Sequence, residues 1–548
     1  MKLLSRMMAI QHVRGALTDE ALRELAREEG VPLHRLEGLR GFYPVFRSEP
    51  AAGRRVQVCR DVVCRMRGGD ICGRIREALA ADPDVEVEEV SCIGRCDHAP
   101  AAAVDDVPIS GGESVIVETA RGERPMPAAE PAPPARHWPT DPYPRRDHRF
   151  GVLRRVLSSG AGDAERDRVV AALTQSGLRG LGGAAFPTGR KWDFTRRAAG
   201  DEKYVICNAD ESEPGTFKDR VILAELPHLI IEAMVIGGWV IGAAQGVIYL
   251  RHEYEPERRI LQQAIDDAYQ RGVLGESVCG SGFRFDLRIF VSPGGYILGE
   301  ETALLEALED RRGEPRNKPP FPTNVGLNGK PTLMNNVETF AAVPVILERG
   351  AEWWTAQGKD GFAGLKYVCV SGDVARPGVY CVPWGATVAE VLETCGGMAD
   401  GRALMAFSPG GASTNFLPAG AADTPLDFDA LAKAGSAMGT AALVFVGEGR
   451  DMLDVAMSQT RFFRNESCGK CVPCRIGTHK AVQLVEQALD GRARNADTVS
   501  LLDELDSTLA KTSICGLGQV ALAPLVNVIR QFPESDGVKA LRGSGGGA

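Results

Sequence analysis

Four cysteines near the end of the chain have the spacing of an iron–sulfur ligand set. Cys468, Cys471 and Cys474 form a C-x-x-C-x-x-C motif, and Cys515 follows 41 residues later. Three thiolates at two-residue gaps bind one side of a compact cluster, and a distant fourth completes the set. A structural zinc site is the alternative, but its cysteines typically come as two separated pairs. The spacing therefore favours a [4Fe–4S] cluster.

A second group of cysteines lies near the start of the chain in two pairs. Cys59 and Cys64 are separated by four residues, and Cys92 and Cys96 by three. Each iron of a [2Fe–2S] cluster takes two thiolates, so two pairs held by one small sheet suit such a cluster. A zinc site and a redox-active dithiol also fit two pairs, and the spacing by itself leaves these alternatives open.

The stretch from Gly177 to Trp192 is dense in glycine and ends in the cations Arg190 and Lys191. Small residues let backbone N–H groups approach an anion, so the stretch suits a phosphate or a pyrophosphate. It matches neither the G-x-G-x-x-G fingerprint nor the P-loop. A packed turn is the alternative interpretation.

Acidic side chains follow a predicted strand in the middle of the chain. The strand Lys203–Asn208 leads directly into three carboxylates: Asp210, Glu211 and Glu213. The carboxyl ends of strands are where α/β sheets bind ligands, although such charged runs are often only solvated loops. Glu300 and Glu301 open a predicted helix, where they would also complement the helix dipole. No Ser–His–Asp or Cys–His arrangement is evident, which argues against a hydrolase.

Length and composition indicate a globular protein of several domains. The 548 residues allow about three to five domains. Apolar residues make up 44% and charged residues 25% of the chain, an ordinary balance for a folded protein. The formal net charge of −9 argues against a nucleic-acid binder held by a basic face.

Periodicity and composition divide the chain into seven segments. In order they are a short helical segment 1–48, a small α/β module 52–120, a Pro-rich linker 121–149, a mostly parallel α/β domain 150–360, a segment of short strands 361–445, a helical segment 446–538 and a disordered tail 539–548. Thr18 and Gly30 are predicted to bound a helix in the first segment. Ser114–Thr119 is predicted as the last strand of the α/β module.

One uncharged stretch, Ala233–Leu250, is long enough to raise the question of a membrane span. Its four glycines favour a buried helix, a turn and a strand at Val247–Leu250 instead. The N-terminus lacks the apolar core of a secretory signal. We therefore expect a soluble, cytoplasmic protein whose 14 cysteines remain free of disulfides in a reducing compartment.

Seven motifs, taken together and in this order, closely resemble the family of flavin- and NADH-binding (51 kDa-type) subunits of respiratory complex I. They are LRGLGGAAFPTGRKW, CNADESEPGTFKD, YILGEETALLEALE, KPPFP, NNVET, ESCGKCVPCRIGT and SICGLG. The N-terminal CRDVVC and CIGRCDHAP are similar to the thioredoxin-like [2Fe–2S] (24 kDa-type) subunit of the same enzymes, here fused in front. Relatives of this family occur in NAD-dependent formate dehydrogenases and NAD-reducing hydrogenases.

The resemblance implies an α/β multidomain protein. Its parts would be a thioredoxin-like [2Fe–2S] module, a Rossmann-like FMN/NAD domain, a β-grasp-like (SLBB) insertion and a C-terminal helical bundle with the [4Fe–4S] cluster. The implied cofactors are FMN, NAD, a [4Fe–4S] cluster on Cys468, Cys471, Cys474 and Cys515, and a [2Fe–2S] cluster on Cys59, Cys64, Cys92 and Cys96.

The resemblance also implies binding residues for each organic cofactor. The FMN site would comprise Gly180, Gly182, Lys191, Asn208, Asp210, Glu211, Tyr296, Gly299, Glu300, Asn335 and Asn336. The NAD site would comprise Phe186, Phe194, Glu213, Glu301, Lys318 and Phe321, where aromatic rings suit stacking and Glu213 suits hydrogen bonds from the nicotinamide or ribose. No catalytic side chain is implied, because hydride transfer belongs to the flavin.

The sequence departs from the complex I pattern at three positions. Leu181 replaces an arginine, Ala185 replaces a glycine and Leu298 stands where a cysteine is common. The fused organisation and the GLGG loop most resemble the β subunit of a molybdenum- or tungsten-dependent formate dehydrogenase.

The partner would then be a large catalytic subunit with that metal cofactor and iron–sulfur clusters, without nucleic acid or required membrane contact. The alternatives are the diaphorase subunit of an NAD-reducing hydrogenase, the NADH-input subunit of complex I, and a flavin-free electron-relay or assembly scaffold.

Overall fold

The computed structural model describes residues 3–50, 53–127, 136–158, 162–492 and 495–543. Three helices come first: α1 Leu3–Arg14, α2 Asp19–Glu29 and α3 Leu33–Arg40. The Thr18 side chain accepts a hydrogen bond from the Ala21 N–H at the start of α2. Gly30 ends α2 with φ of 64°, a left-handed conformation that glycine adopts easily. Both predicted ends of this helix are confirmed.

The N-terminal module is a four-stranded sheet with helices beside it. Its elements are β1 Arg54–Cys59, α4 Val62–Gly68, α5 Ile71–Ala78, β2 Val85–Val90, β3 Ala102–Val104, β4 Val107–Ile109 and α6 Glu113–Arg121. The strand order is β2-β1-β3-β4, with β1 and β2 parallel and the other pairs antiparallel. Cys59 ends β1 and Cys92 follows β2, so these parallel neighbours bring both cysteine pairs to one edge.

The predicted strand Ser114–Thr119 is wrong, because this segment lies inside the helix α6. A run of β-branched residues favours a strand locally. In the fold, Ile116, Val117 and Ala120 are buried at helical spacing, and Gly122 ends the helix with φ of 76°. Burial of one helical face thus overrides the local preference.

The central domain is a parallel sheet flanked by helices. Its elements are α7 Gly151–Ser158, α8 Asp163–Gln175, α9 Thr188–Arg197, β5 Tyr204–Ala209, α10 Lys218–Glu225, α11 Pro227–Ile241, β6 Gln245–Leu250, α12 Glu255–Gln270, β7 Asp286–Val291, α13 Glu301–Leu308, β8 Thr332–Asn336, α14 Val337–Arg349 and α15 Ala351–Thr355. All neighbours in the order β7-β6-β5-β8 are parallel. The strand β8, which has no clear sequence signal, places Asn336 opposite Asn208.

The uncharged stretch is the core of this domain. All of α11 is buried, Gly242 ends it with φ of 79°, and β6 follows, as the glycines predict. None of the individual helices in the described part of the chain combines the length and the apolar character that a membrane span requires. The bent pair of α10 and α11, which meet at 91°, passes that test on length and composition only.

A mixed five-stranded sheet follows. Its elements are β9 Leu365–Gly372, β10 Gly378–Pro383, α16 Val388–Thr394, β11 Leu404–Ser408, β12 Leu417–Pro418, α17 Phe428–Lys433 and β13 Ala442–Gly447. The order is β10-β9-β13-β11-β12, in which only β9 and β13 are parallel.

The chain ends in a helical bundle. Its helices are α18 Met452–Glu466, α19 Val472–Leu489, α20 Asn495–Thr512, α21 Gly516–Val520, α22 Ala523–Gln531 and α23 Asp536–Arg542. The expected disordered tail from 539 is wrong for residues 539–542, which are helical because Val538 and Leu541 are buried on one face of α23. Residues 544–548 of that expectation lie outside the described residues.

The described part of the Pro-rich linker is anchored by aromatic side chains. Trp138 donates from Nε1 to Glu225 Oε2 at 2.7 Å, and its ring packs 5.0 Å from that of Tyr367. The Tyr143 hydroxyl donates to the buried carboxylate of Glu232 at 2.7 Å. The linker therefore contacts both the central domain and the five-stranded sheet. Residues 128–135 lie outside the described residues.

Candidate functional site

A cleft of about 970 Å³ opens at the carboxyl ends of β5 and β8. Its lining includes every residue proposed for FMN or NAD: Gly180, Gly182, Phe186, Lys191, Phe194, Asn208, Asp210, Glu211, Glu213, Tyr296, Gly299, Glu300, Glu301, Lys318, Phe321, Asn335 and Asn336. The structure thus brings together side chains that are spread over more than 150 positions of sequence. The position agrees with the general location of ligand sites in parallel α/β sheets.

The glycine-rich loop forms one wall of the cleft. The Gly180 N–H donates to the Phe186 carbonyl at 2.8 Å, and the Leu181 N–H donates to Thr339 Oγ1 at 2.9 Å. A Cβ on Gly182 would lie 2.9 Å from the Asn336 side chain, so only glycine fits there. Ala185 has φ of 57°, a conformation that favours the glycine of the complex I pattern. The loop is therefore a tight turn that also lines a site.

Lys191 supplies a cation at the floor of the cleft. Its Nζ donates to the Met334 carbonyl at 3.0 Å, and burial lowers the pKa of its ammonium group. Trp192 beside it is fully buried and donates from Nε1 to Asn335 Oδ1 at 3.2 Å. The helix α9 thus directs Lys191 into the cleft, while Trp192 anchors the helix to the sheet.

Asp210 and Glu211 are neighbours with different environments. Asp210 Oδ2 accepts from the Ser212 hydroxyl at 2.7 Å, whereas its Oδ1 is buried without a hydrogen-bond partner among the described residues. Burial raises the pKa of Asp210 to about 6. Because buried polar atoms rarely lack partners, Oδ1 fits a hydroxyl donor from a bound cofactor.

The Glu211 carboxylate is used by the fold itself. It accepts from the N–H groups of Asp219 and Arg220 at 2.8 and 3.0 Å, and from the Tyr254 hydroxyl at 2.9 Å. Burial raises the pKa of Glu211 to about 8. Glu211 therefore lines the cleft, but its carboxylate accepts hydrogen bonds from the start of α10. The sequence does not reveal this role.

Glu213 is held between two domains. The Tyr296 hydroxyl donates to its Oε2, and the Ser413 N–H from the five-stranded-sheet domain donates to Oε1 at 2.6 Å. Burial raises the pKa of Glu213, and both hydrogen bonds act against that rise. Ser413 has no sequence signal as a site residue, because its contribution is a backbone N–H.

Glu300, Glu301 and Lys318 form one charged group at the mouth of the cleft. Glu300 caps α13 by accepting from the Thr302 and Ala303 N–H groups at 2.9 Å, so the helix-dipole interpretation is correct for one of its oxygens. Lys318 Nζ lies 2.8 Å from Glu300 and 2.7 Å from Glu301. Burial alone would lower the pKa of Lys318, but the two carboxylates outweigh it and raise that pKa.

Three aromatic rings at the mouth are unusually exposed. Phe186, Phe194 and Phe321 are 39%, 44% and 54% exposed, whereas most large apolar side chains are buried. The rings of Phe186 and Phe194 lie 6.3 Å apart, and Arg190 lies over Phe194. Exposed aromatic faces lining a cleft are suited to stacking on a base.

A buried ionic network, which the sequence pattern does not single out, reaches the wall of the cleft through Lys218 and Asp219. Lys218 lies 2.7 Å from Asp219 and 3.0 Å from Glu338, with both carboxylates and the ammonium group buried. Asn336 Nδ2 donates to Asp219 Oδ2 at 2.5 Å. Lys218 and Asp219 belong to the CNADESEPGTFKD motif, so the motif itself was the available signal.

The four C-terminal cysteines line one small pocket together with Ser467, Leu517 and their neighbours. Cys471 precedes α19 and Cys515 precedes α21, so two helix starts direct the thiols inward. Burial raises the pKa of Cys515 to about 11. Four converging thiols fit a [4Fe–4S] ligand set. Ile297, Ile514, Cys515 and Leu517 line both this pocket and the large cleft.

The four N-terminal cysteines also converge. Cys92 Sγ lies 3.4 Å from Cys96 Sγ, and Cys59 is within hydrogen-bonding reach of Cys64 and Cys92. All four are buried, and hydrogen bonds from Cys59 and Cys96 lower the pKa of Cys92. Cys72, which lies outside the two pairs, interacts with Arg76 instead.

The N-terminal module packs against both larger parts of the chain. Arg65 of α4 forms an ion pair with Asp454 of α18 at 2.8 Å. Glu466, two residues before Cys468, accepts from the hydroxyl of Ser91 and from the Tyr296 N–H at 2.8 Å. The two cysteine groups and the cleft are therefore joined by direct contacts.

The sequence of this chain is similar to those of subunits of known NADH-linked enzymes. An NADH-quinone oxidoreductase subunit of Rhizobium meliloti is 42% identical over 69% of this chain and 90% of its own length. NAD-reducing hydrogenase HoxS subunit alpha of Cupriavidus necator is 35% identical over 99% of this chain and 93% of its own length. The chain therefore belongs to the family of NADH-linked subunits that includes both of these proteins.

A solved member of the family has the same fold. The structure of an NAD+-reducing [NiFe]-hydrogenase in the H2-reduced state contains a chain with a TM-score of 0.86 and 31% identity. The match covers 98% of this chain and 93% of that chain.

Four family models divide the chain. They are the thioredoxin-like [2Fe–2S] ferredoxin at 1–115, the Nuo51 FMN-binding domain at 173–345, the SLBB domain at 367–417 and the NADH-ubiquinone oxidoreductase-F iron–sulfur binding region at 454–536. The expected cofactors FMN, NAD, [4Fe–4S] and [2Fe–2S] are thereby confirmed, as is the fold class. The [2Fe–2S] assignment replaces the zinc and dithiol alternatives for the N-terminal cysteines. The chain is an NAD(H)-dependent flavin and iron–sulfur oxidoreductase subunit.

Proposed function

We propose that this chain is the diaphorase subunit of an NAD-dependent formate dehydrogenase, passing electrons between NAD(H) and a separate catalytic subunit. The observation that carries the electron-transfer part is the shared wall of the two sites. Cys515 lines both the [4Fe–4S] pocket and the cleft, together with Ile514 and Leu517. The two sites therefore adjoin each other, which suits transfer over a short distance.

FMN, when bound, exchanges two electrons with a nicotinamide and single electrons with iron–sulfur clusters. The residues of the chain bind FMN and the dinucleotide and orient them. Asp210 and Lys191 are available to the flavin at the floor of the cleft, because Asp210 has an oxygen without a partner among the described residues and Lys191 brings its ammonium group to the same floor. The exposed rings of Phe186, Phe194 and Phe321 supply faces for the dinucleotide at the mouth.

Glu213 orients the nicotinamide in this proposal. Its two anchors, the Tyr296 hydroxyl and the Ser413 N–H, come from different domains and fix the carboxylate at the junction of the cleft walls. A carboxylate held in this way has remaining lone pairs that accept hydrogen bonds from an amide or a ribose. No side chain has to act as an acid or a base, because a hydride carries its own electron pair.

The formate-specific part rests on the resemblance of the fused organisation and the GLGG loop, Gly180 to Gly183. A hydrogenase is the second candidate partner. It is favoured by the match to HoxS subunit alpha, which extends over 99% of this chain including the N-terminal module, whereas the match to the Rhizobium meliloti quinone oxidoreductase covers 69%. In either case we place the complex in the cytoplasm, where free cysteines persist.

The partner is tested by isolating the native complex under anaerobic conditions and identifying the subunits that co-purify. A formate dehydrogenase would reduce NAD+ with formate and contain molybdenum or tungsten. NAD+ reduction with H2 and a nickel content would establish the hydrogenase instead. A preparation without flavin and without NADH-dependent ferricyanide reduction would overturn both and favour the scaffold.

A further inference from the structure

The central domain contributes two groups to the ligand loop of the N-terminal cluster. The guanidinium of Arg251 donates from Nη2 to the Cys92 carbonyl at 2.6 Å. The Gly215 N–H lies 3.4 Å from Cys96 Sγ. Arg251 follows β6, and Gly215 lies in the cleft loop two residues after Glu213. The surroundings of the [2Fe–2S] ligands are therefore completed by residues from outside their own module.

Arg251 is fixed in this position by contacts on all sides. It is 2% exposed and donates to both oxygens of Glu253, at 2.9 and 2.6 Å. Its other terminal nitrogen donates to the Glu211 carbonyl. The guanidinium also lies 5.0 Å from the centre of the Tyr254 ring. One side chain thus joins the backbone of a cleft residue to the backbone of a cluster ligand.

We propose that Arg251 is a positioning residue that raises the reduction potential of the [2Fe–2S] cluster and holds its ligand loop against the flavin cleft. One-electron reduction adds a negative charge to such a cluster, and a buried fixed cation beside a ligand stabilises that added charge. Arginine keeps its charge at any working pH and places several donors in one plane. The Gly215 N–H near the Cys96 sulfur acts in the same direction.

Glu253 opposes this effect. Burial would raise its pKa, but Arg251 and His252 hold the pKa of Glu253 at about 2, so it is ionised at neutral pH. Its carboxylate is bound to the Nε and Nη2 edge of the guanidinium, and Nη2 also donates to the Cys92 carbonyl. Neutralising Glu253 therefore leaves the cation beside Cys92 less compensated.

The test is an EPR-monitored redox titration of the [2Fe–2S] signal in the anaerobically purified full chain. At a fixed ambient potential, Arg251→Gln should lower the ratio of reduced to oxidised cluster about tenfold, equivalent to about 59 mV for a one-electron couple. Glu253→Gln should raise the ratio. Arg251→Lys, which keeps the charge, should lie between Arg251→Gln and the native protein. The [4Fe–4S] midpoint serves as an internal reference.

The control is Arg450→Gln, which breaks an ion pair of the same type, between Arg450 and the buried Asp373 at 2.7 Å. It should leave the [2Fe–2S] midpoint unchanged. Iron content and circular dichroism establish that each variant is folded and contains its clusters. If Arg251→Gln loses the [2Fe–2S] cluster, the midpoint of the Glu253→Gln protein tests the proposal instead. An unchanged midpoint in a loaded Arg251→Gln or Glu253→Gln protein overturns the proposal. The inference depends on the [2Fe–2S] cluster and not on the formate partner, so the two can fail separately.

Discussion

Asp210→Asn is expected to weaken FMN binding and, at the same time, to stabilise the flavin-free protein. The native carboxylate is 7% exposed and has one oxygen without a partner in the described part of the chain. In the flavin-free protein an ionised Asp210 is therefore under-solvated, which destabilises the fold. With FMN bound, the same oxygen accepts a hydrogen bond. The substitution removes the destabilising charge and weakens the hydrogen bond to FMN, so its effects on the stability of the flavin-free protein and on FMN affinity have opposite signs.

The magnitudes follow from the raised pKa. Burial raises the pKa of Asp210 from 3.8 to about 6. The folded chain thus binds the proton more tightly than the unfolded chain, and stability falls as the pH rises from about 4 to above 6. The difference between the two pKa values corresponds to about 3 kcal/mol. A hydrogen bond to a charged group contributes about 1.5–3 kcal/mol and one to a neutral group about 0.5–1.5 kcal/mol. Exchanging the carboxylate oxygen for an amide oxygen should therefore cost about 1–1.5 kcal/mol and weaken FMN binding about 5- to 13-fold.

Two assays check these numbers. Flavin-fluorescence titration of the flavin-free protein at pH 8 measures the FMN dissociation constant. Thermal unfolding of the flavin-free protein between pH 4 and pH 8 measures the change in stability. Asp210→Asn should exceed the native melting temperature at pH 8 and approach it at pH 4, while Asp147→Asn, at an exposed carboxylate paired with Arg145, should match it throughout. Unaltered FMN affinity with a pH-independent stability difference would refute the reasoning.

The other predictions concern the dinucleotide and the clusters. Glu213→Gln should lower NADH turnover while FMN stays bound, because Gln keeps the hydrogen bond from Tyr296 but loses the charge. Steady-state kinetics with flavin quantification checks this, and unchanged kinetics would remove Glu213 from the site. Phe321→Ala should raise KM for NADH roughly tenfold through lost stacking without changing the melting temperature, since the ring is 54% exposed; an unaltered KM would contradict it. Cys515→Ser should abolish the [4Fe–4S] EPR signal and keep the [2Fe–2S] signal, whereas Cys395→Ser, at a buried thiol of the five-stranded-sheet domain, should keep both.

Local sequence predicted the elements whose determinants are themselves local. Thr18 and Gly30 bound α2 because capping and a left-handed end need only neighbouring residues. The glycines of 233–250 correctly separated a buried helix from a strand. The strand predicted at Ser114–Thr119 is wrong for the opposite reason. The β-branched residues of this segment prefer a strand, and only the packing of Ile116 and Ala120 favours the helix.

The sequence predicted which residues line the cleft but not how their side chains are arranged there. All seventeen proposed residues line one cleft, yet the sequence does not show that Glu211 turns its carboxylate to the start of α10. Nor does it show that the Ser413 N–H reaches Glu213 across 200 positions. A backbone donor carries no residue signature, and a carboxylate looks the same in sequence whether it faces a ligand or a helix.

The sequence by itself indicated the [4Fe–4S] ligand set, because such a cluster takes thiols at short, regular gaps, as in Cys468, Cys471 and Cys474. The spacing of the N-terminal pairs left zinc and a redox dithiol open as alternatives. Only the tertiary structure decided how the sites meet. Parallel pairing of β5 with β8 brings Asn208 beside Asn336, and the fold places Cys515 on the wall of the cleft and Arg251 between Glu211 and Cys92. These contacts join residues far apart in the chain, and they form only when separate elements bury their apolar faces together.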